Sequence, residues 1–167
     1  MSTNPAEAIA SLMTRDATVA TAESLTGGML CAALTSVPGA SACVRGGVIA
    51  YDVAVKSALL GVDAGILERM GAVDPEVARQ MARGVREAIG STYGVATTGS
   101  AGPDPAPGGT QAPPVVAGTG FVAVSGPGVD LVRGFREDGD RAQVRAAAVA
   151  AALDLLAEAM ADGHMSG

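Results

Sequence analysis

Aromatic side chains are almost absent from this 167-residue chain: two Phe, two Tyr and no Trp, 2% of residues, against 49% hydrophobic overall. A core must therefore be built from Ala, Val, Leu, Ile and Met. The 23 glycines allow backbones to approach closely, which suits helices lying tightly on a sheet. Cysteine is scarce too. Cys31 and Cys43 have no CxxC spacing, and with His164 as the only histidine they make no zinc set, so both are read as small buried residues of a reducing compartment. The net charge of −6 and pI near 4.6 argue against general nucleic-acid binding, which needs clustered Lys and Arg on phosphates. No apolar run approaches the ~20 residues that span a bilayer, and the N-terminus has no basic segment leading into an apolar one. The expectation is a cytoplasmic protein with no membrane association.

What is present reads as alternating helices and strands. Ser2-Thr3-Asn4-Pro5 sets a capping side chain before a proline at the first helical position, for a helix to about Met13. Thr18 to Glu23 reads as a strand, and Thr26-Gly27-Gly28 opens a helix through Met29, Leu30, Ala33 and Leu34 that stops before Pro38-Gly39. Val44 to Tyr51 reads as a strand, followed by a helix carrying Lys56, Leu59 and Leu60 up to Gly61. A short helix over Ala64 to Met70 precedes Asp74-Pro75, which caps a longer one from Glu76 to Ile89 with Val77, Met81, Val85 and Ile89 at helical spacing. Tyr93 to Thr98 is the next strand. Gly99 to Val116 holds five prolines and four glycines, too turn-rich for helix or strand, and is either a functional loop or a flexible insertion. Gly118 to Ser125 and Val129 to Phe135 form a hairpin across Gly126-Pro127-Gly128, before a final Ala-rich helix from about Arg141 to Ala161. This order predicts a three-layer α/β/α sandwich with a mixed sheet, in one compact domain, with residues 162–167 as a flexible tail.

Lys56 is the only lysine beside ten arginines. An arginine stays protonated, whereas burial can drive a lysine to its neutral, basic form, so Lys56 is the one candidate amine base. Its neighbours Val53, Ala54, Val55, Ala58, Leu59 and Leu60 are apolar enough to lower an ammonium pKa; the plainer reading sets it on a solvated helix face. Ser24 falls at a strand-to-helix turn beside the backbone N–H groups of Thr26, Gly27 and Gly28. That placement fits an ordinary cap, a phosphate site, or a nucleophile beside an oxyanion site. A serine nucleophile needs a base. With His164 in a Gly-flanked tail, a Ser-Lys pairing is the arrangement left, and it requires Lys56 to be partly desolvated, with the Tyr51 hydroxyl nearby.

The blocks Thr21-Ala-Glu-Ser24-Leu-Thr-Gly-Gly28, Arg45-Gly46 with Tyr51 and Lys56, Gly71-Ala-Val73, Thr98-Gly-Ser-Ala-Gly-Pro-Asp104, Gly118-Thr119 and Gly139-Asp-Arg141 resemble, in order and over nearly the whole chain, the CinA C-terminal domain family. Active members are nicotinamide-nucleotide amidases, called PncC. The resemblance implies hydrolysis of the carboxamide of nicotinamide mononucleotide to nicotinate mononucleotide and ammonia, without metal or other cofactor. It implies Ser24 as nucleophile and Lys56 as its base, with Tyr51 and Thr98 assisting or positioning. Oxyanion donors are expected near Thr26 to Gly28 or Gly99 to Ala101, with Ser100 also at the substrate. Arg141 is expected on the nucleotide phosphate, with Arg45 or Arg145 as alternatives, and Glu23 as an orienting or capping residue. A catalytically silent nucleotide-binding or scaffolding relative is the alternative.

The sequence also departs from the family pattern. Pro105 to Pro114 is richer in proline than the usual Gly-rich link, and Val116-Ala117 stands where Pro-Val is common. Val53-Ala54-Val55 replaces an Asn-Glu-Ala before the lysine, which makes that stretch more apolar, and a Phe-x-Gly-Asp-Arg pattern is stretched to Phe135–Arg141. A homo-oligomer is expected, with the last helix or the apolar strand Gly118 to Val124 as its interface.

Overall fold

The computed structural model describes residues 2–162. Asn4 caps α1 (Pro5–Thr14) by accepting the Glu7 N–H while Glu7 accepts the Asn4 N–H, a reciprocal pair that satisfies two donors the helix leaves open. β1 (Val19–Glu23), α2 (Met29–Thr35), β2 (Val44–Ile49), α3 (Val53–Leu60), α4 (Ala64–Met70) and α5 (Pro75–Ile89) follow. Asp52, Asp63 and Asp74 each accept a backbone N–H at the start of α3, α4 and α5, and caps of this kind are worth about 1 kcal/mol apiece. β3 (Tyr93–Gly99), β4 (Thr119–Gly126), β5 (Val129–Arg136) and α6 (Arg141–Asp162) complete the fold. Of the expected tail, only Asp162 lies within the described residues; His164 does not. Among the described residues, no helix is long and apolar enough to cross a membrane.

The five strands stand in the order β2-β1-β3-β4-β5, with β1 parallel to β2 and β3, and β4 antiparallel to β3 and β5. The parallel pairs are joined through helices, as a crossover requires, and the β4–β5 pair by the turn at Pro127-Gly128, with Gly128 at φ +67°. β4 is paired along both edges. The Gly118 to Val124 segment therefore offers no free strand edge, because its backbone groups are taken by β3 and β5.

Alternation along the strands explains the aromatic-poor core. Val19, Tyr93, Val95, Val122 and Val124 join α1, α2 and α6 in one cluster, while Ala20, Ala22, Ala96 and Ala123 meet α5 on the other face. The small residues let α5 press onto the sheet: a Cβ added at Gly94 would lie 2.1 Å from the Ala82 carbonyl oxygen. Met81 of α5 is fully buried there, and truncating such a side chain to Ala costs about 2–5 kcal/mol. α3 lies equally close to α5, since a Cβ on Gly84 would fall 1.9 Å from the Leu60 carbonyl oxygen. That contact fixes which side of α3 turns inward. Lys56 and Leu60 are buried, and Val53 and Leu59 are left 48% and 58% exposed.

The turn-rich segment after β3 is anchored rather than loose. Ala106 and Val115 exchange backbone hydrogen bonds of 2.9 Å, and Thr110 and Gln111 donate to the Glu68 and Arg69 carbonyls of α4 at 2.9 and 2.8 Å. With the parallel strands β1, β2 and β3 ending on one side of the sheet, the loops after Glu23, Ile49 and Gly99 gather in the crevice where open α/β sheets bind ligands.

Candidate active site

Ser24 is the first residue beyond β1. Its N–H donates to the Thr97 carbonyl at 3.0 Å, which extends the strand ladder by one step, and its carbonyl accepts the Gly27 N–H at 3.0 Å, which turns the chain at once. Gly27 and Gly28 take positive φ values of +56° and +102°, backbone that favours glycine, so the turn can close into α2. Beneath it, the buried Glu23 carboxyl group accepts the Thr26 hydroxyl at 2.7 Å and the N–H groups of Leu30 and Cys31 at 2.8 and 3.0 Å. Thr26 also shares a 2.8 Å hydrogen bond with Thr97. The N-terminus of α2 is thus satisfied from within.

Lys56 reaches this turn from α3. Its side chain is fully buried, and Nζ donates to Ser24 Oγ at 3.0 Å and to the Ala50 carbonyl at 2.5 Å. Ala50 is itself fixed, its N–H donating to the Glu23 carbonyl at 2.8 Å. Burial pushes the Lys56 ammonium pKa down from 10.5 to about 8, with the Asp52 carboxylate partly opposing the fall. A buried amine of that pKa is neutral in about a tenth of molecules at pH 7 and about half at pH 8. In the neutral form the hydrogen bond reverses, and Nζ accepts the Ser24 proton.

Both residues open into a cavity of about 540 Å³, also lined by Leu25, Tyr51, Val53, Ala72, Val73, Thr98, Gly99, Ser100, Asp104 and Arg141, among others. Thr98 donates its hydroxyl to the Ala72 carbonyl at 2.7 Å, tying the Gly71-Ala-Val73 wall to β3. Tyr51 stands at the rim, 61% exposed, and its hydroxyl accepts from Arg141 Nη2 at 3.0 Å rather than meeting Lys56. Arg141 Nη1 donates to the Gly102 carbonyl at 2.8 Å, so this guanidinium bridges two walls of the opening. Ala106 and Pro107 of the proline-rich segment line the cavity as well. Among the described residues, no three His, Cys, Asp or Glu side chains cluster to hold a metal ion.

Ser24, Tyr51, Lys56, Thr98, Gly99, Ser100 and Arg141 therefore meet at one cavity. Thr26, Gly27 and Gly28 lie in the turn behind Ser24 and do not line it, the Thr26 hydroxyl being held by Glu23 and Thr97. Arg45 is not brought there either. It falls at the start of β2, at a register irregularity opposite Val19, whereas Ser24 follows the other end of β1. Arg145 sits behind the turn, donating to the Leu25 and Thr26 carbonyls. Sequence reasoning did not identify the Ala50 and Ala72 carbonyls as partners; backbone acceptors leave no residue-type signal.

The chain as a whole matches a known group of proteins. The CinA C-terminal domain family matches residues 2–160. The chain is similar to a CinA-like protein of Frankia casuarinae, 48% identical over 150 residues that cover 90% of this chain and 33% of the relative. It is also similar to one of Gemmatimonas aurantiaca, 49% identical over 148 residues that cover 88% of this chain and 33% of the relative. The chain thus spans about a third of the length of the curated relatives it matches. Among solved structures, a CinA superfamily protein from Klebsiella pneumoniae superposes with a TM-score of 0.87 at 31% identity, covering 95% of this chain and 96% of that one. A competence/damage inducible protein from Agrobacterium tumefaciens gives 0.84 at 33% identity, covering 92% of each. With the family matched over nearly its whole length and the fold shared from end to end, the chain belongs to the CinA C-terminal domain family.

Proposed function

We propose that the protein is an amidase that hydrolyses the carboxamide of nicotinamide mononucleotide to nicotinate mononucleotide and ammonia. The observation that carries this reading is the 3.0 Å contact between Lys56 Nζ and Ser24 Oγ at the floor of the cavity. Neutral Lys56 takes the Ser24 proton as Oγ attacks the amide carbon, giving a tetrahedral intermediate. Lys56 then returns that proton to the amide nitrogen, the C–N bond breaks and ammonia leaves, with Ser24 acylated. Water, deprotonated by Lys56, attacks the ester, and the acid and free Ser24 are released. The Ala50 carbonyl holds one Nζ hydrogen throughout, which leaves the nitrogen lone pair for Ser24. Arg141 at the rim supplies the cation for the nucleotide phosphate. Thr98 keeps the wall opposite in place through Ala72.

The test is release of ammonia and nicotinate mononucleotide from nicotinamide mononucleotide by the purified chain, followed by chromatography. Ammonia release that depends on Ser24 supports the reading. Binding of the nucleotide without turnover moves the assignment to a catalytically silent nucleotide-binding relative.

A further inference from the structure

We propose that Arg145 is a positioning residue for the chemistry at Ser24, acting through the peptide groups that follow the serine. This rests on Ser24 being the nucleophile. Arg145 projects from α6, the helix packed on the opposite side of the sheet from α5. Its Nε donates to the Leu25 carbonyl at 2.9 Å and its Nη2 to the Thr26 carbonyl at 3.1 Å. The side chain lies against Gly27, where an added Cβ would stand 3.4 Å from Nη2. Among the described residues, it makes no ion pair with a carboxylate. A half-buried guanidinium is thus placed on two consecutive carbonyls of the turn that carries Ser24.

Two consequences follow from peptide geometry. In a trans peptide the N–H points opposite to the C=O, so drawing the Leu25 carbonyl toward α6 aims the Thr26 N–H away from α6. Among the described residues, neither the Leu25 nor the Thr26 N–H donates to a protein acceptor, although both residues are buried. Buried N–H groups rarely stay unpaired. The charge on Arg145 also polarises the two peptide units it bonds, and a polarised amide is a stronger donor, so the Gly27 N–H holds the Ser24 carbonyl more firmly and the turn with it. Arg145 therefore locks the orientation of the Ser24 turn, and with it the Oγ that Lys56 meets. It does not line the cavity, so its effect falls on turnover and not on substrate binding.

The experiment uses the full chain with Arg145→Ala and Arg145→Lys. Lysine keeps the charge but cannot bond two carbonyls with a planar fork. Two rates are measured: modification of Ser24 by phenylmethylsulfonyl fluoride, followed by intact mass, and turnover of nicotinamide mononucleotide. Arg145→Ala is expected to slow both by about 10- to 100-fold with KM changed less than about 3-fold, the size a small misplacement of the reacting group gives. Added guanidinium ion, at millimolar levels too low to denature, restores part of both rates in Arg145→Ala. It does nothing for Arg145→Lys, a pattern that a purely structural role does not produce. Should the alanine variant fail to fold, Arg145→Lys alone decides through the same two rates.

Native rates in both variants overturn the proposal, as does a rise in KM with kcat unchanged. If the native chain reacts with the sulfonyl fluoride and Arg145→Ala slows it, while no ammonia comes from the nucleotide, the substrate assignment fails and Arg145 stands. If Ser24 of the native chain resists the reagent and Ser24→Ala keeps full turnover, Ser24 is not the nucleophile and the Arg145 proposal falls with it, while the substrate stands.

Discussion

Lys56 Nζ lies 3.0 Å from Ser24 Oγ although 32 residues separate the two in sequence, and the amine is fully buried where they meet. Two supports make this possible. The Ser24 turn is held from below by Glu23 and from behind by Arg145, and α3 is pressed on α5 at Gly84 with Lys56 on its inner side. The buried amine also has a second fixed partner in the Ala50 carbonyl. A lysine held at both ends of its hydrogen-bonding capacity, with burial lowering its pKa, has the properties a serine's base needs.

Removing either member of the pair is expected to stop turnover. Ser24→Ala deletes the proposed nucleophile, and Lys56→Arg keeps the positive charge while deleting the proposed base. Each is expected to lower kcat by about 10³-fold or more, and the double variant no further, because residues that act as a unit are not additive. A Lys56→Arg protein that retains a tenth of native kcat shows that lysine is not the base.

The pH profile should report the lowered lysine pKa. The proposed mechanism requires the neutral amine, so log kcat/KM is expected to rise with unit slope as pH increases toward about 8 and to level off above it. A profile flat from pH 6 to 9, measured by ammonia release in one buffer series, contradicts the role given to Lys56.

The same pKa is a stability statement. Folded Lys56 titrates near 8 and the unfolded side chain near 10.5. Between those values the unfolded state binds more protons, so this group makes the fold more stable as pH rises from 8 to 10.5. At neutral pH, burial of the ammonium costs up to about 3 kcal/mol, less the hydrogen bonds it makes. Lys56→Met is therefore expected to stabilise the chain at pH 7 by about 1–2 kcal/mol, a gain that shrinks toward pH 10. Urea unfolding of both proteins at pH 7 and pH 10 decides it: a difference that does not change with pH rules the account out.

Glu23→Gln tests the floor of the turn. Each carboxyl oxygen accepts from one α2 N–H, and one also takes the Thr26 hydroxyl. An amide replaces one acceptor by a donor that faces an N–H, so a loss of about 2–3 kcal/mol in unfolding free energy is expected. A loss below about 0.5 kcal/mol in urea titration means that Glu23 does not hold the turn.

Arg141→Ala separates phosphate recognition from chemistry. KM for nicotinamide mononucleotide should rise by about 10-fold or more with kcat little changed, while nicotinamide riboside, which lacks the phosphate, is unaffected. Tyr51→Phe frees one Arg141 contact and should raise KM by a smaller factor, about 2- to 5-fold. Equal effects of Arg141→Ala on both substrates remove the phosphate from its assignment.

Local signals were strong along much of the chain. Asp63 caps one end of Ala64–Met70 and Gly71 the other, and Asp74-Pro75 marks the start of α5 in the same way, so these boundaries rest on local interactions. The burial of Lys56 was not legible. α3 is apolar on nearly every side, so its periodicity does not say which face is inside, and only the contact of Leu60 with Gly84 turns Lys56 inward while leaving Leu59 in solvent. Likewise, the motif around Thr26-Gly27-Gly28 marks a turn, but that Glu23 takes up the α2 N-terminus, leaving those residues behind the cavity, depends on packing.

By itself the sequence determined the order of helices and strands, the mixed α/β/α layering, the family, and the residue types from which a site could be assembled. These rest on caps, turns and periodicity, which are interactions within a few residues along the chain. Only the tertiary structure decided that β4 is interior and that Arg45 falls at the wrong end of β2 to meet Ser24. It also decided that Arg145 holds the turn from behind and that Lys56 is buried against Ser24. Each of these depends on contacts between segments distant in sequence, and the pKa of a single lysine follows from them because desolvation is set by what surrounds the amine in space, not by its neighbours along the chain.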